Sequence, residues 1–177
     1  KTTKASKKLK AHITYLEMSE PHIKVIPAPS RPATALMVAR NITSNFYSYI
    51  YEMVGKPCHW LDRREVDAED LYDIINDEAC EIGILYADGC PAGFYELNLN
   101  NMPNDIEIKY FGIGPEYQGM GLGKWFLGLT IQAAWAHKPE KVTIETNTLD
   151  HPAALRMYQQ MGFSPVGVGE AEIEAWE

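Results

Sequence analysis

Hydrophobic and polar positions along the chain change rhythm twice. Near the N-terminus His12-Ile13-Thr14-Tyr15-Leu16-Glu17-Met18 alternates, and after Ser19-Glu20-Pro21 so does His22-Ile23-Lys24-Val25-Ile26. That pattern predicts an N-terminal extended pair, ended by Pro27, Pro29 and Pro32. The short apolar run Ala35 to Ala39 reads as a central strand, with a helical turn as the alternative that length alone leaves open. Thr43 or Ser44 is placed to cap a helix to about Val54, whose Phe46, Tyr47, Tyr49 and Tyr51 lie on more than one face. Asp67-Ala68-Glu69-Asp70 resembles the cap of a second short helix, Leu71 to Ile75.

From Glu81 the period becomes two. Ile82 to Tyr86, the turn Ala87-Asp88-Gly89 and Ala92 to Leu97 predict a hairpin, and Ile106 to Ile113 the next strand of an antiparallel meander. Gly112, late in that strand, predicts a bulge or a close backbone approach. Helical spacing then returns with Leu122, Trp125, Phe126, Leu129, Ala133 and Ala136, read as the core-facing side of a helix from Leu122 to Ala136. Val142, Ile144 and Thr146 alternate as a strand parallel to the one before the helix, given the usual crossover. A last helix runs from Pro152 through Met161 and stops at Gly162, and Phe163 to Trp176 return as a sheet edge.

Composition narrows the class. The 177 residues, 46% of them hydrophobic, suit one domain with a full core, here positions 11–177. Cys58, Cys80 and Cys90 form no C-x-x-C pair, which argues against a zinc site or a disulfide framework and for a reducing compartment, taken as the cytoplasm. No apolar run exceeds the five residues Ala35 to Ala39, far short of a membrane span, so a soluble protein is expected. Net charge is -8, yet residues 1–10 hold five lysines and no acid, and read as a disordered tail rather than a nucleic-acid arm. Without them 11 basic residues face 24 acidic ones, a charge of -13 that disfavours nucleic acid and favours cationic substrates.

Candidate chemistry centres on Tyr117-Gln118-Gly119-Met120-Gly121-Leu122-Gly123-Lys124, where three alternate glycines run into the long helix. Such a segment leaves backbone N–H groups bare at the positive end of a helix dipole, a site for phosphate. Two known phosphate loops fail on spacing. A P-loop would need glycine at Gln118 and a hydroxyl at Trp125, and the dinucleotide fingerprint would need glycine at Lys124 or Phe126.

What the segment resembles is motif A of the GCN5-related N-acetyltransferase family, Gln/Arg-x-x-Gly-x-Gly/Ala, through Gln118, Gly121 and Gly123. The family's motif B, Ala-x-x-x-Tyr-x-x-x-Gly-Phe, is matched by Ala154, Tyr158, Gly162 and Phe163 about 30 residues later. The resemblance covers about Ile82 to Phe163. It implies an α/β (α+β) fold with a mixed, mostly antiparallel sheet splayed between its fourth and fifth strands and helices on both faces. It also implies an acetyl-CoA-dependent N-acetyltransferase that moves the acetyl group to a primary amine by direct attack through a tetrahedral intermediate. The alternative is an acyl-CoA-binding regulatory module without turnover.

On this resemblance the pyrophosphate lies on the amides of Gly119, Met120, Gly121, Leu122, Gly123 and Lys124, beside Gln118, and the pantetheine arm pairs with Phe111, Gly112 and Ile113. Where the family often has an asparagine against the arm this chain has His151, with Asn147 four residues earlier, and both are candidates for that contact. Tyr158 takes the place of the family's general acid. Deprotonating a lysine-like amine at pH 7 costs about 4.6 kcal/mol, so a base is useful. Glu107 has the offset from Gln118 of the catalytic glutamate in the histone acetyltransferase branch, and Glu96 on the neighbouring strand is second choice. No metal is implied. Phe46 to Tyr51 with Cys58-His59-Trp60 are expected to wall the acceptor, a small-molecule or peptide amine of cationic character, with a homodimer left open.

Overall fold

The computed structural model describes residues 6–176. Seven segments of alternating side chains pair into one sheet: β1 (Lys8–Met18), β2 (Thr34–Val38), β3 (Cys80–Ala87), β4 (Cys90–Asn98), β5 (Ile106–Ile113), β6 (Val142–Asn147) and β7 (Ser164–Glu174), in the order β2-β3-β4-β5-β6-β1-β7. All neighbours are antiparallel except β5 and β6, which the helix α3 (Leu122–Ala136) joins as a parallel crossover. Asp88 and Gly89, at φ 49° and 81°, close the β3–β4 hairpin as two left-handed residues.

Strict alternation along the strands loads both faces of the sheet. Leu85, Tyr95, Leu97, Ile108 and Phe111 point to α3 and α4 (Ala154–Gln160), and Ile82, Ile84, Phe94 and Tyr110 to α1 (Ser44–Gly55) and α2 (Ala68–Ile75). Both N-terminal caps of the second layer are made by side chains. Thr43 Oγ1 accepts from Phe46 N at 3.2 Å, and Asp67 Oδ1 from Glu69 N and Asp70 N at 3.0 and 3.1 Å.

Four expectations are corrected. Residues 1–5 of the lysine-rich tail lie outside the described residues, but Lys8 to Lys10 open β1, because their backbone pairs with Glu172 to Glu174 while the lysine heads stay wet. His22 to Ile26 form no strand; β1 pairs with β6 and β7 instead, and Lys24 Nζ donates to Gln160 O at 3.0 Å as the segment passes α4. The run Ala35 to Ala39 supplies an edge strand rather than a central one, with Met37 62% and Val38 49% exposed. In α3 the buried stripe is Leu122, Phe126, Leu127, Ile131 and Ala134, with Leu129 and Ala133 half-buried and Ala136 exposed. A helix apolar on nearly every side does not choose its face by spacing; the sheet chooses it.

Of the two reasons expected for Gly112, a bulge or a close approach, the structure shows the second. The register break in β5 lies at Lys109, left unmatched between Tyr110, opposite Glu96, and Ile108, opposite Leu97. At Gly112 a Cβ would sit 2.4 Å from Val54 Cγ1, so the glycine lets α1 close onto the strand. Among the described residues no helix is long and apolar enough to cross a membrane.

Candidate active site

The parallel pairing of β5 and β6 stops after three residue pairs, Ile106–Ile108 with Val142–Ile144. Beyond them the strands part, the splay implied by the family resemblance, and a cleft of about 1010 Å³ opens along the freed side of β5. One end reaches the glycine loop and the other the segment after α1, with Tyr158 between them.

Gly119 and Gly121 both adopt φ 77°, a region costly for any residue with a Cβ, which explains two of the three loop glycines. Gly121 is the N-cap of α3 and no side chain bonds the first turn, so the N–H groups of Leu122, Gly123 and Lys124 are left for a ligand. Gln118, Gly119 and Gly123 border the cleft. Met120, 45% exposed, and Lys124, also exposed, are not part of its lining, and Leu122 is core. Phe111, Gly112 and Ile113 line the cleft along β5.

Across the gap, Asn147 and His151 also line the cleft but are occupied locally. Asn147 Oδ1 accepts from Leu149 N at 2.8 Å, and His151 Nδ1 from Ala153 N at 3.1 Å. The residue that organises this turn is Asp150, which sequence reasoning missed. Its carboxylate accepts from Thr146 Oγ1 at 2.7 Å, Asn147 N at 2.9 Å and Trp60 Nε1 at 3.3 Å, tying β6 to the loop after α1. An aspartate three residues after Asn147 was the signal available.

Tyr158 is 6% exposed, its ring edge-on to Phe111 and Phe163 at 6.5 and 6.2 Å. Its hydroxyl has no hydrogen-bond partner among the described residues and borders the cleft. Burial, with Asp150 and the Cys58 thiol nearby, pushes its pKa well above that of a free phenol, so it carries its proton at neutral pH.

The residues expected to wall an acceptor are divided by the structure. Tyr51, Cys58, His59 and Trp60 line the cleft, but Tyr47 is sealed in the core and Tyr49 is 55% exposed outside it. Tyr110, not foreseen, completes an aromatic cluster with Tyr51 and Trp60 at 5.2 and 5.1 Å between ring centroids. Just beyond β7, Trp176 N donates to His59 Nδ1 at 2.9 Å and the Arg64 guanidinium lies 4.2 Å from the Trp176 ring centroid.

The two carboxylates expected as bases fare differently from Tyr158. Glu96, 1% exposed, accepts from Tyr47 Oη at 2.5 Å and Arg63 Nη2 at 2.6 Å, on the protein side of the aromatic cluster and outside the cleft lining. Glu107 stands on β5 before the gap begins, 3.8 Å from Lys109 Nζ, and it too is absent from the lining. The carboxylates that do line the cleft are Asp62, Glu65, Glu145, Asp150, Glu172 and Glu174.

The model of the acetyltransferase (GNAT) family matches residues 47–163 of this chain. The chain belongs to that family. No curated protein matches it. Three solved structures of similar fold are a conserved protein of unknown function from Staphylococcus epidermidis ATCC 12228, a GCN5-related N-acetyltransferase from Kribbella flavida, and an aminoglycoside acetyltransferase from an uncultured soil metagenomic sample in complex with sisomicin. The first is 16% identical with a TM-score of 0.64, over 95% of this chain and 63% of that one. The second is 13% identical with a TM-score of 0.63, over 95% and 60%, and the third 14% with 0.60, over 72% and 86%. The chain thus spans less than two thirds of the first two, and at these identities what is shared is the fold. Within the GNAT frame of this chain, the segment that resembles motif A, through Gln118, Gly121 and Gly123, leads into α3, and the segment that resembles motif B holds α4 with Tyr158.

Proposed function

We propose that this protein is an acetyl-CoA-dependent N-acetyltransferase acting on a cationic primary amine. The observation that carries the reading is one continuous cleft, which joins the bare N–H groups at the start of α3, the freed side of β5 and the partnerless hydroxyl of Tyr158. These residues fit the cofactor: positive φ at Gly119 and Gly121 brings backbone close to a pyrophosphate, and a strand side without a neighbour suits an extended amide-bearing arm. When bound, acetyl-CoA supplies an activated acyl group as a thioester.

The protein's part is positioning and proton transfer. The first turn of α3 holds negative charge, β5 aligns the arm, and Tyr158 donates its proton to the leaving sulfur. The aromatic cluster of Tyr51, Trp60 and Tyr110, with carboxylates around it, favours an acceptor that is cationic and partly apolar. The three cysteines are free, and the cytoplasm is the compartment proposed.

Thiol release from acetyl-CoA over a panel of amines tests the activity. Tyr158→Phe should lower kcat by roughly 10²-fold or more with CoA affinity within twofold of the parent. An unchanged kcat would remove the general-acid role. CoA binding with no turnover on any amine would turn the reading to a regulatory CoA-binding module.

A further inference from the structure

Six carboxylates line the cleft, and their partners separate them. Asp150 is held by three donors, Asp62 receives the Tyr110 hydroxyl at 3.4 Å, and Glu172 lies 3.8 Å from Lys8 Nζ. Glu65 belongs to the loop after Trp60, and Glu174 ends the edge strand β7, both in the side walls. Glu145, like Glu65 and Glu174, makes no side-chain hydrogen bond and no ion pair among the described residues. What sets it apart is its place: it is the first residue of β6 beyond the last β5–β6 pair, Ile108 with Ile144. It therefore stands at the vertex of the splay, next to the unmatched Lys109.

Its direction follows from the alternation of β6. Val142, Ile144 and Thr146 are buried, with Val142 and Ile144 in the layer under α3 and α4, so Glu145 turns to the opposite face, the one that carries Tyr110 and Trp60. Tyr158 belongs to the α3 and α4 face. The gap thus has a carboxylate on one side and a phenol on the other. At an acyl carbon the entering nitrogen and the departing sulfur need proton partners in different places, and this arrangement provides them.

We propose that Glu145 is the general base that deprotonates the acceptor ammonium, a role that rests on the acetyl-transfer reading above. The ammonium gives one proton to the Glu145 carboxylate, and the freed lone pair forms the C–N bond. The C–S bond breaks with its electron pair going to sulfur, which takes the Tyr158 hydroxyl proton. The surplus proton on the new amide nitrogen returns to the tyrosinate, and Glu145 releases its own to water. The net change is ammonium plus thioester to amide, thiol and one proton.

The surroundings suit the task. Glu107 and Lys109 of β5, Tyr15 directly across on β1, Asp150 after β6 and Asp62 from the loop are the titratable groups around it. Partial burial, then the Glu107 carboxylate, raise the Glu145 pKa above the usual glutamate value; Lys109 opposes this, and Asp150 and Asp62 add to it. A raised pKa makes the carboxylate a stronger base.

The experiment is a pH profile of acetyl transfer for the parent, Glu145→Gln and Glu107→Gln, with CoA binding measured calorimetrically on each. Glu145 has no partner to lose, so its variant should fold and bind CoA as the parent does. The parent kcat should be flat across neutral pH and fall on an acidic limb. In Glu145→Gln transfer should drop roughly 10²-fold at pH 7 and then rise about tenfold per pH unit, following the free amine. Glu107→Gln should keep the acidic limb but move it to lower pH, because a like charge beside Glu145 has gone. If the limb disappears in Glu107→Gln and survives in Glu145→Gln, Glu107 is the base and the proposal is overturned. A parent that binds CoA and acetylates no amine overturns the acetyl-transfer reading itself, a result distinct from an active parent whose profile Glu145→Gln leaves unchanged.

Discussion

Replacing Glu96 separates a structural brace from a catalytic base. Glu96 and the Arg63 side chain are 1% and 14% exposed, joined at 2.6 Å, and Tyr47 Oη closes the other carboxylate oxygen at 2.5 Å. Arg63 Nε is already buried without a partner, so Glu96→Ala would leave the whole guanidinium uncompensated beside the Tyr110 ring. Breaking a buried pair from one side costs about 3–5 kcal/mol, about a fifth or more of a typical domain's stability of roughly 5–15 kcal/mol. For a chain of this length that is about 6–20 °C in melting temperature. Glu96→Gln keeps the shape and exchanges charge-assisted bonds for neutral ones, so about 1–2 kcal/mol is expected. Urea unfolding gives both values, with the midpoint falling and the slope unchanged. In a cycle with Arg63→Met, the double variant should lose about 2 kcal/mol less than the two single losses together. Simple additivity would refute the pairing argument. A Glu96→Ala variant as stable as the parent but inactive would make Glu96 a base after all.

Two further outcomes follow from single distances and burial. Gly112→Ala places a Cβ 2.4 Å from Val54 Cγ1 and should cost about 1–3 kcal/mol, which Val54→Ala in the same chain should partly restore; an unchanged thermal midpoint would contradict the close approach. Burial, with the Asp150 charge adding and a bond from the His151 backbone opposing, pushes the Cys58 thiol up to about 11, so its alkylation at pH 7 should run roughly 10²-fold or more slower than that of a free thiol. The rate should climb about tenfold per pH unit towards that value, and a plateau near pH 9 would show an unshifted thiol.

Features written in local chemistry were legible in the sequence. Asp88-Gly89, the alternate glycines of the 119–123 loop and the caps at Thr43 and Asp67 act within a few residues, and each appears where its residue type demands it. Features that depend on which strand lies beside which were not. Ala35 to Val38 is apolar enough for a central strand, yet nothing in those residues says that only β3 will pair with it. The offset of Glu107 from the glycine loop located a strand, but whether its carboxylate reaches the cleft depends on where β5 and β6 stop pairing. Glu145 reads in sequence as one more polar position of an alternating strand, and its place at the vertex is a property of register. Asp150 is similar, since its bond to Trp60 spans ninety positions of chain.

The short seam between β5 and β6 makes the sheet two leaves, one of β2 to β5 and the other of β6, β1 and β7, stitched within the sheet by three residue pairs at one end. A small rotation about that stitch changes the width of the gap without breaking a rung inside either leaf. Guests of different girth can then be accommodated by drift in one angle, with the glycine cradle left as it is. Selectivity on such a frame can change by substitution on the loop and the edge strand that wall the gap, and the hinge itself need not be rebuilt.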